Sequence, residues 1–149
     1  MLEVRDLTCV RGDKKLFSGL SFTVDVGHAA FVHGPNGSGK TTLLRTIAGL
    51  ATPESGSIWW KGAETRKLEE DYYAQLAYFG HLNGLKDELT GLENLLLSSR
   101  LHGRRVTEGQ VGEALSKLGA LAYQDLPTQV LSQGQKKRVA LARFLLSEA

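Results

Sequence analysis

Residues 33–44 read HGPNGSGKTTLL, and within them Gly34-x-x-x-x-Gly39-Lys40-Thr41 has a spacing that could hold phosphate. A strand that ends in glycines and runs into a helix makes a cup of backbone N–H groups. The glycines allow tight folding and close approach, and the helix start adds free donors and the positive end of its dipole. Lys40 then supplies a point charge for the β- and γ-phosphates, and the Thr41 hydroxyl is suited to ligate Mg²⁺. Pro35, Asn36, Gly37 and Ser38 shape the loop, while Thr42 faces either helix packing or the α-phosphate. The spacing alone could arise by chance, but here it follows an apolar run and precedes a helical pattern. Nucleotide binding is the expectation.

A second stretch, Leu131-Ser132-Gln133-Gly134-Gln135, places a hydroxyl, a glycine and the free N–H groups of a first helical turn together. Taken alone it is an ordinary capping box. With the glycine loop upstream and Lys136, Lys137 and Arg138 just after, it becomes a second candidate anion cradle. A guanine-specific site is excluded, because none of Asn36, Asn83 and Asn94 is followed by lysine and no Asp-x-x-Gly occurs. A small-molecule kinase would use the same loop and need a lid. Arg104 and Arg105 could serve as lid arginines or lie in a solvated loop.

The elements that must carry these groups follow from periodicity. LEVRDLTCV and LSFTVDV alternate as strands around a charged turn, and HAAFVH (28–33) is expected to be a buried strand leading into the glycine loop. Leu43, Leu44, Ile47 and Ala48 have helical spacing, stopped by Gly49. SIWWKG gives another strand. Residues 64–76 are polar and carry no clear pattern, and LAYF (76–79) is expected to be a strand. Three capping boxes, Thr90-x-x-Glu93, Thr107-x-x-Gln110 and Ser132-x-x-Gln135, open three helices. The second helix carries Val111, Ala114, Leu115 and Leu118 on one face and stops at Gly119. The third is apolar around much of its circumference, as for a helix buried between layers.

The result is an α/β fold of P-loop type: an N-terminal antiparallel β part, a glycine-loop core and a helical subdomain. We divide the single domain 1–149 into a β-rich and P-loop core (1–83), a helical subdomain (84–130) and a final motif with its helix (131–149). A chain of 149 residues with 42% hydrophobic and 23% charged residues suits one soluble domain. A net charge of +2 is too small to imply a nucleic-acid surface. Cys9 is the sole cysteine, so no internal disulfide forms and a reducing compartment is the natural setting. The charged N-terminus is unlike a signal peptide, and no run of apolar residues is long enough to span a membrane.

With both motifs in order, the chain resembles the ATP-binding-cassette (ABC) ATPases. Gly34 to Thr41 matches their Walker A loop, LSQGQKKRVALAR looks like their signature helix with Gln133 in place of the first glycine, and LTGLENL resembles the start of their helical subdomain. The resemblance covers essentially the whole chain. It implies ATP with Mg²⁺, and a head-to-tail pair in which the signature of one ATP-binding subunit faces the nucleotide on the Walker A loop of another. Lys40, Ser132 and Gly134 would then act on the triphosphate. At the place ahead of Leu89-Thr90 where the family has a metal-site glutamine this chain has His81, which either hydrogen-bonds a metal-bound water or is a loop histidine without a role. Arg11 stands where an adenine-stacking aromatic is usual, as a stacking guanidinium or as an exposed turn arginine.

Gly80-His81 with GLK-ELT-LENL, LFSGLSF and SGSIWWKG is most similar to one branch, the ATP-binding subunits of the cytochrome c maturation (haem exporter) systems. That likeness implies a peripheral subunit on the cytoplasmic face of the inner membrane, bound to integral membrane subunits, with no nucleic-acid partner. Another ABC transporter, or a non-transport ABC protein working by nucleotide-gated dimerisation, is the alternative. The family's next element is an apolar strand ending in Asp-Glu, and after Lys40 no run of four apolar residues is followed by aspartate. The expectation is an N-terminal piece of a longer protein that binds ATP weakly, barely hydrolyses it and exposes an apolar sheet edge.

Overall fold

The alternating N-terminal residues build a long hairpin. Strand β1 (Leu2–Arg11) pairs antiparallel with β2 (Lys14–Val24), turning at Gly12 and Asp13 as the charged link predicts. In this computed structural model, which describes residues 1–80 and 84–147, the chain forms two compact units, Met1–Leu76 and Ala77–Ala149.

In the first unit, β3 (Ser55–Trp60) joins the free edge of β1 and the short β4 (Ala63–Glu64) follows, all antiparallel in the order β2-β1-β3-β4. Val4, Leu7 and Cys9 from β1 and Ile58 from β3 meet Leu43 of helix α1 (Lys40–Ile47) in one buried cluster. Thr46, buried among them, donates its hydroxyl to Thr42 O at 2.8 Å and lies 3.6 Å from Cys9 Sγ, so its polar atom is satisfied. Leu44, one of the apolar residues at helical spacing, is exposed. The helix turns Leu43 and Thr46 inward, which leaves Leu44 on the outer side.

The pattern-free stretch folds into two single-turn helices, α2 (Thr65–Leu68) and α3 (Glu70–Tyr73). α3 buries Tyr72, whose hydroxyl donates to Ile47 O at 2.7 Å and closes the C-terminal end of α1. Two expected strands are absent. Residues 28–33 are coil and Phe31 is 89% exposed, and 76–79 are coil as well. A strand needs a neighbour to take its N–H and C=O groups, and among the described residues none of the four strands runs beside either segment. Apolar content alone does not make a ladder.

The second unit is helical: α4 (Gly91–Leu101), α5 (Glu108–Lys117) and α6 (Gln133–Leu146), with single 3₁₀ turns at Leu121–Tyr123 and Thr128–Val130. All three capping boxes form in both directions, side chain to backbone and back. Leu95 of α4, Val111, Ala114 and Leu115 of α5, and Val139 and Ala142 of α6 share one core with Ala120 and Leu131. Each fully buried leucine there contributes roughly 1.5–3 kcal/mol. α6 is not buried all round. Val139, Ala140 and Ala142 are buried on the side where α4 and α5 pack, and Phe144 meets the Phe79 ring at 5.9 Å, whereas Leu141 and Leu145 are exposed.

Candidate functional site

The glycine loop hands the chain to α1 through Gly39, the N-cap residue, at φ 101°. A side chain there would be strained by that φ and would also meet Leu16 Cβ and the Phe17 ring at 3.0 Å. Only glycine lets the helix start this close to the hairpin. No side chain caps α1 and its first turn holds no acidic residue. The first-turn N–H groups, from Lys40 to Thr42, are therefore left for another acceptor, with the positive dipole end behind them. The other three long helices all close their starts with a reciprocal box.

Around that start the loop is tight. Ser38 N–H donates to Pro35 O at 3.2 Å, and Gly37 takes φ 81°. Lys40 Nζ folds back along the loop and donates to Gly34 O at 2.6 Å and Pro35 O at 2.8 Å. Neutral carbonyls hold an ammonium less strongly than phosphate oxygens do, so this lysine can exchange one set of acceptors for the other. Thr41 is exposed and Thr42 half-buried. A cavity of about 720 Å³ has Gly34, Pro35, Ser38, Gly39 and Lys40 at one end. Its other wall is the apolar face of β2, with Phe17, Leu20 and Phe22.

At the start of α6, Ser132 Oγ accepts Gln135 N–H at 3.2 Å and Gln135 Oε1 accepts Ser132 N–H at 2.9 Å. Leu131 is buried and anchors the turn, while Ser132, Gln133 and Gly134 are exposed. The box takes the Gln135 N–H and leaves those of Gln133 and Gly134 outside it. The ordinary capping box and the open helix start thus coexist in one turn.

The two helix starts, one glycine-built and bare, one serine-capped and followed by basic residues, thus both form where the motifs lie. Residues 17–149 match the family model described as ABC transporter. This chain belongs to the ABC transporter family. Relatives named cytochrome c biogenesis ATP-binding export protein CcmA include one from Nitrosomonas europaea, 51% identical over 147 residues, covering 99% of this chain and 69% of that protein. The Pseudomonas aeruginosa protein of the same name is 49% identical over 146 residues, covering 98% and 72%. Among solved structures, an ABC transporter ATP-binding protein from Pyrococcus furiosus superposes with a TM-score of 0.88 at 30% identity, over 99% of this chain and 71% of that one. The ATP-binding cassette MJ0796, solved as a dimer in a post-hydrolysis state with ADP and Pi, shares the fold at 24% identity, with a TM-score of 0.81 over 99% of this chain and 70% of its own. ATP is the nucleotide that this family binds.

In this ABC chain, Gly34 to Thr42 lie together at the start of α1 in the first unit, and Leu131 to Gln135 lie together at the start of α6 in the second. Arg11 is exposed at the end of β1, opposite Lys14, and does not line the cavity beside the glycine loop. His81 lies outside the described residues. Arg104 is no free lid group: its Nη1 donates to Leu146 O at 3.1 Å. Sequence reasoning missed the polar network that holds loop 85–90. Asn94 is buried in α4, its Oδ1 accepting Lys86 N–H and its Nδ2 donating to the carbonyls of Lys86, Leu89 and Thr90. The available signal was an asparagine one residue past a capping box, beside Leu95 on the inward face of an amphipathic helix.

Proposed function

We propose that this chain is the ATP-binding subunit of an exporter serving cytochrome c biogenesis, which couples ATP binding and hydrolysis to haem export. The observation that carries it is the bare, acid-free start of α1 behind Gly39, with Lys40 on exchangeable carbonyl acceptors. The half-identical relatives carrying the export-protein name support the choice of cargo system. In this reading Gly34 to Thr42 cradle the triphosphate and Lys40 neutralises the β/γ oxygens. Ser132 and the N–H groups of Gln133 and Gly134 close the nucleotide of a second copy, paired head to tail. ATP then joins two subunits and its loss lets them part, a two-state element that membrane partners can follow.

The residues fit Mg²⁺ as a companion of the nucleotide. Among the described residues no group of three His, Cys, Asp or Glu side chains could hold a metal alone. Thr41 offers one exposed hard oxygen, which suits an ion that otherwise keeps waters and phosphate oxygens. When bound, the ion would neutralise charge on the β- and γ-phosphates. No described helix is long and apolar enough to cross a membrane. The export-protein name of the relatives supports a peripheral place on integral membrane subunits at the cytoplasmic face of the inner membrane. By themselves these 149 residues should turn ATP over slowly, since no aspartate follows a four-residue apolar run after Lys40.

The test is Lys40→Met in the assembled exporter. Assembly should persist, while ATP turnover and haem transfer fall together by about a hundredfold, the scale of losing one charge-directed donor. Wild-type turnover in that variant would overturn the proposal.

A further inference from the structure

α6 begins with an electrostatic problem. Its first turn holds no acidic residue, and Lys136, Lys137 and Arg138 crowd the end where the helix dipole is already positive. The compensating charge comes from elsewhere in the fold. Lys136 Nζ donates to Asp87 Oδ1 at 2.8 Å, with the lysine side chain only 15% exposed. Asp87 sits in the loop that Asn94 fixes from beneath through Lys86, Leu89 and Thr90. Fully buried Thr128 closes it from the other side: its Oγ1 donates to Lys86 O and its N–H to Leu89 O. Gln129 N–H donates to Asp87 O at 3.0 Å, so the backbone of Asp87 is held as well as its carboxylate.

We infer that Asp87, on a loop made rigid by Asn94 and Thr128, is a positioning residue that fixes Lys136 and with it the Ser132–Gln135 turn of α6. The inference rests on the proposed role of that turn in closing a second copy's nucleotide. A helix start that must meet a phosphate on another molecule needs its direction set before contact, because a small misplacement weakens every donor at once. Packing of Val139 and Ala142, one to two turns on, sets the axis, and buried Leu131 anchors the chain just before the motif. The ion pair sets the first turn itself. It also keeps the Lys136 ammonium engaged, so that the approaching nucleotide meets the N–H groups and Ser132.

The test is a charge exchange in the assembled transporter, with Ser132→Ala as the reference. Asp87→Asn should lower turnover by up to about fivefold, the range of a partly exposed ion pair. It should leave ATP affinity of the dissociated subunit unchanged, since the glycine loop is untouched. Lys136→Met should lose a similar factor, and Asp87→Lys combined with Lys136→Asp should recover most of it. Wild-type turnover in Asp87→Asn, alongside a loss in Ser132→Ala, would overturn the positioning role alone. A Lys136→Met loss that the exchange cannot restore would do the same, marking Lys136 as a direct phosphate ligand. Wild-type turnover in Ser132→Ala would remove the underlying reading of α6, and this inference with it.

Discussion

Tyr72 shows how a single side chain steadies the end of α1 opposite the glycine loop. Its hydroxyl closes the free carbonyl of Ile47 at the C-terminal end of α1, and its ring meets Trp60 edge-on at 6.4 Å. Burial first, and then the neighbouring Tyr73, push its hydroxyl up to about 12 from an ordinary 10.0. The folded chain therefore keeps a proton that the unfolded chain releases above pH 10, so unfolding is favoured as pH rises from 10 to about 12. Alkaline melting should show this loss, and Tyr72→Phe should flatten it. At neutral pH the same change should cost about 1 kcal/mol, the worth of one neutral hydrogen bond. An unchanged alkaline slope in Tyr72→Phe would contradict the assignment. Nothing in the sequence marked Tyr72, because its partner is a backbone carbonyl 25 residues away. The place of Lys40 was legible for the opposite reason: the junction of loop and helix follows from local spacing.

Helix starts were the most legible elements. Each capping box is a four-residue event, settled by the chain next to it, and all three form where Thr90, Thr107 and Ser132 lie. Strands at 28–33 and 76–79 were misread because pairing depends on a distant neighbour that an apolar run does not reveal. The one-sided burial of α6 was hidden for the same reason. This difference in range separates two serine and threonine caps experimentally. Thr107→Ala removes a cap alone and should cost about 1 kcal/mol of stability with turnover intact. Ser132→Ala should cost a similar amount of stability and, on the proposed role of its hydroxyl in closing a second copy's nucleotide, also reduce turnover. Thermal melting beside turnover measurements reads both, and equal turnover in the two variants would contradict a functional role for Ser132.

For the molecule as a whole, the two helix starts proposed to hold phosphate fall in different units, one β-rich and one helical. The glycine loop was legible from motif and context. The network of Asn94, Thr128, Asp87 and Lys136 was not, since it joins residues up to 49 positions apart. The central claim is that the two starts act on one nucleotide only when contributed by two copies. The direct test mixes two variants, Lys40→Met, which lacks the first cradle's charge, and Gly134→Asp, which places a carboxylate in the second. Each alone should fail to pair on adding ATP. Mixed, one interface joins an intact loop to an intact α6 start, so ATP-dependent pairing should return in part. A mixture as inert as its components would show that both motifs serve a nucleotide within the same chain, and would contradict the account.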